Sequence, residues 1–347
     1  MDERAYVRVS AFTDEGIADK DPRAQLALAR NKLGIYHYCP RFIRRSDGST
    51  PNVIYLTDDE LTGLRALQEE YRIWPCSIGT PLGKKLIENG PDEVGHIYED
   101  PATVRQEARR AIVVSQALAE PGTRPPLRGF AGYPVIKKGM DPESFRALLV
   151  SSLDASARFL EPIIEECTSA GVVYVMEVEG NLPCYCADAM RIIRDTLGNP
   201  EYLRFCPDGA NSAVQGFDGF EEYLKMREFL GFMHAKGVAE KRPGWMGYVD
   251  ETSLDDFVPI SNQIDVARYE DVFRDLKTRL PTLTPELQKY GIPSFFIIAE
   301  PHLTAGGERG GESGEDGMVS GVKGVVAVLD RVGIISDINT KILYAQS

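Results

Sequence analysis

Four side chains in this 347-residue chain have types and spacing that could hold a metal ion: Glu177, Asp208, His234 and Glu300. They stand in VVYVMEVEGN, LRFCPDGAN, GFMHAKG and FFIIAEPHL, each at or just past a short apolar run that reads as a strand. Three carboxylates and one imidazole make an oxygen-rich donor set. Such a set suits hard or borderline divalent ions: Mn²⁺ first, with Mg²⁺, Co²⁺ or Fe²⁺ as alternatives, ahead of Zn²⁺ with its leaning to thiolate and imidazole. Each residue alone has a plain structural reading. A strand-end carboxylate is more often a helix cap or a solvated charge, and a lone histidine in an apolar run is more often packed core. Four of them on consecutive strands tip the balance toward a metal site.

The elements that must position these groups alternate in type. Strand patterns fall at Tyr6 to Phe12, Ile35 to Tyr38, Ile73 to Ile78, Pro126 to Phe130, Val172 to Glu177, Tyr202 to Cys206, Gly231 to Lys236 and Ser294 to Glu300. Helical patterns lie between them. Thr57 with Glu60 forms a capping box, and Asp100-Pro101 and Asp141-Pro142 each put a capping carboxylate before a proline at the first helical position. Gly34 is placed to close the first helix in the left-handed conformation. Pro162 should kink or divide the long helix after Asp141, and Thr284-Pro285 should cap the last stretch of a helical region starting near Ala267. Eight apolar strands alternating with helices predict α/β architecture with a parallel sheet closed into a (β/α)₈ TIM barrel. No G-x-G-x-x-G follows the first strand, which disfavours a doubly wound open sheet. The expected organisation is a single TIM-barrel domain over 1–347. It carries an insertion near 238–266 and an extended Gly-rich loop near 304–317. In such a barrel the strands' C-terminal ends form the reactive face, where the four candidate ligands are expected to meet.

Composition narrows the function. Net charge is −13 and the pI about 5.0. An acidic surface opposes contact with phosphate backbones, so no nucleic-acid partner and no membrane are expected. No signal-peptide pattern opens the chain, and no apolar run approaches the roughly 20 residues that span a bilayer. The six cysteines do not read as a disulfide framework, and Cys184-Tyr185-Cys186 lacks a second pair at zinc-finger spacing. Reduced, buried thiols and a cytoplasmic setting are expected.

Several segments resemble a known family. FFIIAEPHL followed by GGERGG resembles the closing strand of the xylose-isomerase-like barrel superfamily, in its sugar phosphate isomerase/epimerase branch. CPDGANSAVQG resembles the D-x-x-N segment of that superfamily and FMHAKG its H-x-K strand. MEVEGN resembles the stretch after strand five, CSIGTPLGK the S-I-G-S-P-I-G-K phrase after strand three, and VSAFTDE the opening strand. The likeness runs through segments spread over nearly the whole chain. It implies that Glu177, Asp208, His234 and Glu300 ligate the metal, and that Glu177 and Glu300 are the catalytic pair that moves the proton. It further implies that Lys236 and His302 reach substrate oxygens. The chain departs from the family pattern at Gly237-Val238-Ala239, where a carboxylate often follows H-x-K, and in its longer eighth-strand tail.

The implied chemistry is proton abstraction next to a carbonyl through an enediolate, giving a divalent-metal-dependent sugar isomerase or epimerase. A lyase shares the first step. C-glycoside deglycosidase large subunits belong to the same superfamily and work with a small partner subunit on 3-keto sugars. A barrel that only binds a sugar is the non-catalytic alternative. DNA-repair endonucleases of this fold need more histidines for their three-zinc site than the four present. His37 and Arg41, in IYHYCPRF, are further candidates to grip substrate, with loop surface as the alternative. Lys84 would meet an anionic group or be solvated. Trp245, in the insertion, would cover the ligand or join a subunit contact. A small-molecule sugar or keto-sugar is the expected partner, and a homo-oligomer the expected state.

Overall fold

The computed structural model describes residues 5–84, 87–88, 93–95, 100–132, 134–137, 139–238, 257–258, 267–301 and 314–346. Most of the expected insertion and of the Gly-rich loop lies outside the described residues.

The barrel wall is built from β1 (Tyr6–Ala11), β2 (His37–Tyr38), β3 (Trp74–Pro75, resuming at Ile78–Gly79), β4 (Leu127–Gly129), β5 (Tyr174–Glu177), β6 (Leu203–Cys206), β7 (Met233–Ala235) and β8 (Phe296–Ala299). Neighbours pair in parallel: His37 sits opposite Trp74, Ile78 opposite Leu127, Leu127 opposite Tyr174, and Tyr174 opposite Leu203. Single bridges from Phe205 to Leu230 and from Asp208 to His234 join β6 to the β7 region. Met233 then pairs with Ile297, and Arg8 with Phe296. Cys39 donates its backbone N–H to Ala11 at 3.0 Å and closes the ring between β1 and β2. The result is the expected (β/α)₈ barrel. Every residue of β5, β6 and β8 is buried, as strands covered on both faces must be.

The helices follow the strands in order: α1 (Pro22–Ala27), α2 (Asp58–Tyr71), α3 (Pro101–Leu118), α4 (Leu153–Ala170), α5 (Ala187–Thr196), α6 (Gly219–Met226), α7 (Tyr269–Gln288) and α8 (Gly314–Val332). Their starts are chemically specified. Thr57 and Glu60 form the capping box on α2, and Asp100 caps α3 just before Pro101. Each such cap contributes about 1 kcal/mol. In α4 the apolar residues Leu153, Ala157, Leu160, Ile164 and Cys167 recur every three or four positions and are buried against the wall.

Three boundaries differ from the sequence reading. The long helix after Asp141 divides at Ser152, not at Pro162, which lies inside α4. Ser152 ends the first segment by turning both its backbone N–H and its hydroxyl onto Leu148. Pro281 and Pro285 likewise lie inside a continuous α7, whose buried Phe273, Leu276, Leu280, Leu283 and Leu287 hold it to the core. Packing of one apolar face outweighs the backbone bond that each proline removes. Helix α8 begins at Gly314, five residues before the expected Val319.

Beneath the barrel, Ile335–Ser336 pairs in parallel with the start of β1, and Asp337 accepts from the Val9 amide at 3.0 Å. Asn339 donates to the Gly34 carbonyl at 2.8 Å. Gly34 ends the first helical segment with φ at +66°, and a Cβ there would stand 2.5 Å from the Asn339 carbonyl oxygen. Both the turn and the close approach require glycine.

Candidate metal centre

Each of the four candidate ligands is placed by a different strand. Glu177 is the last residue of β5, and His234 is the middle residue of β7. Asp208 follows β6 and caps the short helix Gly209–Val214, its Oδ1 accepting from the amides of Ala210 and Asn211 at 3.0 Å each. Glu300 follows β8, with its own amide donating to Ala235 at 3.2 Å. All four are buried, and one ligand atom from each lies within 4.8 Å of the others.

The imidazole is the centre of the group. His234 Nδ1 is 2.9 Å from Glu177 Oε1, 3.1 Å from Glu300 Oε2 and 4.0 Å from Asp208 Oδ2. Phe12 meets the ring edge-on at 5.2 Å, and Phe232 stacks on it at 5.6 Å. The other ring nitrogen, Nε2, is buried and has no hydrogen-bond partner among the described residues. Burial works against the charged imidazole, but Cys206, Glu177 and Glu300 overcome it and raise its pKa well above the ordinary value. For Glu177, burial pushes upward while His234 and Arg128 pull harder, down to about 2. The site therefore favours positive charge strongly. Among the described residues, six carboxylates gather at this end of the barrel (Asp14, Glu15, Glu177, Glu179, Asp208 and Glu300), answered by Arg41, Lys84, Arg128, Lys236 and the His234 imidazole. The surplus of negative charge, the orphan imidazole nitrogen and the oxygen-rich donor set all fit a divalent cation.

Cations also secure the carboxylates one by one. Arg128 Nη1 is 3.0 Å from Glu177 Oε2. Lys236 Nζ is 3.0 Å from Asp208 and 3.4 Å from Glu300. Arg41 reaches Glu300 with Nη1 at 3.2 Å, Asp14 with Nε at 3.1 Å and Glu15 with Nη2 at 2.9 Å. A cavity of about 270 Å³ opens beside the group, with Arg41, Lys84, Arg128, Glu177 and Glu300 in its wall.

The remaining candidates divide. Lys236 is at the site, 1% exposed. Arg41 reaches the same mouth, where its donors go to three carboxylates. Lys84 also lines the cavity and pairs with Glu179 at 2.7 Å. His37 is not with them. It opens β2 at the barrel's opposite end, 2.9 Å from Arg8, 3.5 Å from Asp337 and edge-on to Phe296. Because the strands run in parallel, a residue that begins one lies a barrel's depth from residues that end the others. His302 and Trp245 lie outside the described residues. Sequence reasoning missed Arg128, Asp14 and Glu15. The signal for Arg128 was a charged residue inside the apolar strand LRGF.

No protein-family model and no curated protein matches the chain. Solved structures do. A xylose isomerase-like TIM barrel protein from Mycobacterium smegmatis, in complex with magnesium, superposes with a TM-score of 0.54 at 13% identity, over 95% of this chain and 98% of that one. A D-psicose 3-epimerase from Clostridium cellulolyticum H10, solved with D-tagatose, gives 0.56 at 12% identity over 94% and 98%. A xylose isomerase domain protein from Alicyclobacillus acidocaldarius gives 0.58 at 13% identity over 94% and 99%.

Proposed function

From the fold of the xylose isomerase-like TIM barrels, which this chain has, and from the group of ligands at its mouth, we propose a divalent-metal-dependent sugar isomerase or epimerase. The reaction begins with removal of a proton from a carbon next to a carbonyl. The observation that carries this reading is the buried convergence of Glu177, Asp208, His234 and Glu300. A divalent cation bound there supplies Lewis-acid polarisation of the carbonyl, and Mn²⁺ is the ion proposed.

The chain's own residues supply the rest. Glu177 and Glu300 both approach His234 Nδ1, from different strands, and are the proton-transfer pair. His234 and Arg128 outweigh burial and keep the Glu177 carboxyl ionised, the state needed to accept a proton, and Arg41 and Lys236 contact Glu300. Lys236, between Asp208 and Glu300, holds both carboxylates in place and carries the donors to meet a substrate oxygen. The buried aromatic rings Phe12 and Phe232 keep water from the imidazole. One carboxylate returning the proton to the adjacent carbon gives an isomer, and the opposite carboxylate returning it to the other face gives an epimer.

The test is deuterium uptake. Protein loaded with Mn²⁺ is incubated in D₂O with a panel of aldoses, ketoses and 3-keto-glycosides, and label next to the carbonyl is read by mass spectrometry. Metal-dependent label in a recovered or epimeric sugar supports the reading. Expulsion of the aglycone from a keto-glycoside redirects it to a lyase. A Mn²⁺-saturated protein that labels nothing in the panel refutes proton abstraction. Among the described residues, no helix is long and apolar enough to cross a membrane.

A further inference from the structure

The two proposed proton-transfer carboxylates each have an arginine, Arg128 buried and Arg41 partly buried, and both arginines pack on one ring. Arg128 holds Glu177 and Arg41 holds Glu300, at 3.0 and 3.2 Å. The Arg128 guanidinium carbon is 5.2 Å from the Phe12 ring centre, and that of Arg41 is 4.7 Å from it. The same ring meets His234 edge-on. Gly79, on β3, leaves just enough space for the trio. A Cβ there would lie 3.1 Å from Arg41 Cβ, 3.2 Å from Phe12 Cε1 and 3.3 Å from Arg128 Nη2. Four elements thus contribute one tightly packed unit: Phe12 after β1, Arg41 after β2, Gly79 on β3 and Arg128 on β4.

Both arginines line the cavity, yet their named contacts are to the chain's own carboxylates. Arg41 directs Nε, Nη1 and Nη2 to Asp14, Glu300 and Glu15 respectively. Arg128 is 5% exposed, and its Nε has no acceptor among the described residues. A planar guanidinium braced on an aromatic face is restricted in orientation, and so steadies the carboxylate oxygen it contacts. A fixed positive charge this close to a ligand oxygen must also repel a metal cation at the same carboxylate.

We propose that Arg128 and Arg41, braced on Phe12, are positioning residues that set the orientation of Glu177 and Glu300 for proton transfer and, in doing so, weaken the binding of the metal. This rests on the metal-dependent reading above. Two opposite effects follow from one side chain, and a merely structural role does not produce opposite effects. A damaged site binds metal less tightly and turns over less. A site relieved of a positioning cation binds metal more tightly and turns over less.

The experiment measures Mn²⁺ affinity by calorimetry and deuterium exchange at saturating Mn²⁺ for the wild type, Arg128→Met and Arg128→Lys. Arg128→Met should bind Mn²⁺ at least about tenfold more tightly, with kcat for exchange down by about 10²-fold and KM changed little. Arg128→Lys keeps the charge and loses the fork. It should bind Mn²⁺ within about threefold of wild type and still lose most of kcat. Gly79→Ala, which removes no charge, should behave like Arg128→Lys because it crowds the unit. Unchanged or weaker Mn²⁺ binding by folded Arg128→Met overturns the proposal, as does wild-type kcat in Arg128→Lys. The calorimetric arm needs no turnover, so a wild type that binds Mn²⁺ and labels no sugar sinks the proposed function while the metal-weakening half of this inference is still decided.

Discussion

Replacing Glu300 by Gln preserves the side chain's shape and removes its charge. Glu300 lies 3.2 Å from Arg41 and 3.4 Å from Lys236, with its side chain 3% exposed. At an effective dielectric near 20, each contact is worth about 5 kcal/mol in gross attraction. His234 Nδ1, at 3.1 Å, adds a further attraction, and the repulsions removed offset only part of the total. Oxygens of Glu177 and Asp208 lie within 4.8 Å, which relieves about 3–4 kcal/mol each. Arg41 keeps Asp14 and Glu15, Lys236 keeps Asp208, and the amide oxygen still accepts hydrogen bonds. Because these partners stay hydrogen-bonded, the destabilisation expected is that of weakened charged hydrogen bonds, about 1–3 kcal/mol, too little to unfold a domain of ordinary stability. Activity should fall much further. An amide is a poor metal ligand and cannot act as a base, so exchange at saturating Mn²⁺ should drop by about 10²–10⁴-fold. The assay pairs a thermal melt and a Mn²⁺ titration with deuterium uptake. Folded, Mn²⁺-saturated Glu300→Gln that exchanges within about threefold of wild type refutes the assignment of Glu300 as proton carrier.

Lys236→Met strips the buried Asp208 of its 3.0 Å cation and leaves Glu300 to Arg41 and His234, so the metal-free protein should lose about 3–5 kcal/mol. Added Mn²⁺ should restore part of that in the melting temperature, and a variant as stable as wild type without metal would contradict the pairing. Asp218 caps α6 through the amides of Phe220 and Glu221 and pairs with Arg268; although burial raises its pKa, these contacts win and hold it below the ordinary value. Its stabilisation is present above the unfolded pKa and lost as pH falls through the lower folded value. Asp218→Ala should therefore cost about 1 kcal/mol at pH 7 in urea unfolding, with the difference shrinking below about pH 4. All six cysteines are buried and unbridged. A thiol reagent should find six thiols in denaturant and almost none in the native protein within minutes.

The strands were legible because each is a short apolar run between polar punctuation, and the ligands because each follows such a run. The capped helix starts at Thr57, Asp100 and Asp141 were legible because the capping chemistry is local. What eluded the sequence depends on the assembled molecule. Pro162, Pro281 and Pro285 sit inside helices because tertiary burial of one face decides the matter, and no local pattern reports that burial. The start of α8 hid in GEDG, where two glycines disfavour a helix that the buried Met318 and Val322 hold to the core. His37 and Arg41, four residues apart, lie at opposite ends of the barrel because β2 between them is traversed almost directly. Arg128 looked like a stray charge in an apolar strand until Glu177 on the next strand gave it a partner.

The segment around Ile335 and Asp337 also bears on how the chain reaches this structure. The Val9 amide and the Asp337 carboxylate are 328 residues apart in sequence, and Asn339 presses on Gly34. When β1 and the first helix leave the ribosome, the partner that covers their underside has not been made. Closure of the ring waits even for β8, which brackets β1 on one side. Early elements must therefore persist with open edges for most of synthesis. This favours slow final docking, because the contacts that complete the barrel are among the most distant in sequence. Refolding should accordingly end in a late phase in which protection of the Val9 amide appears together with that of β8.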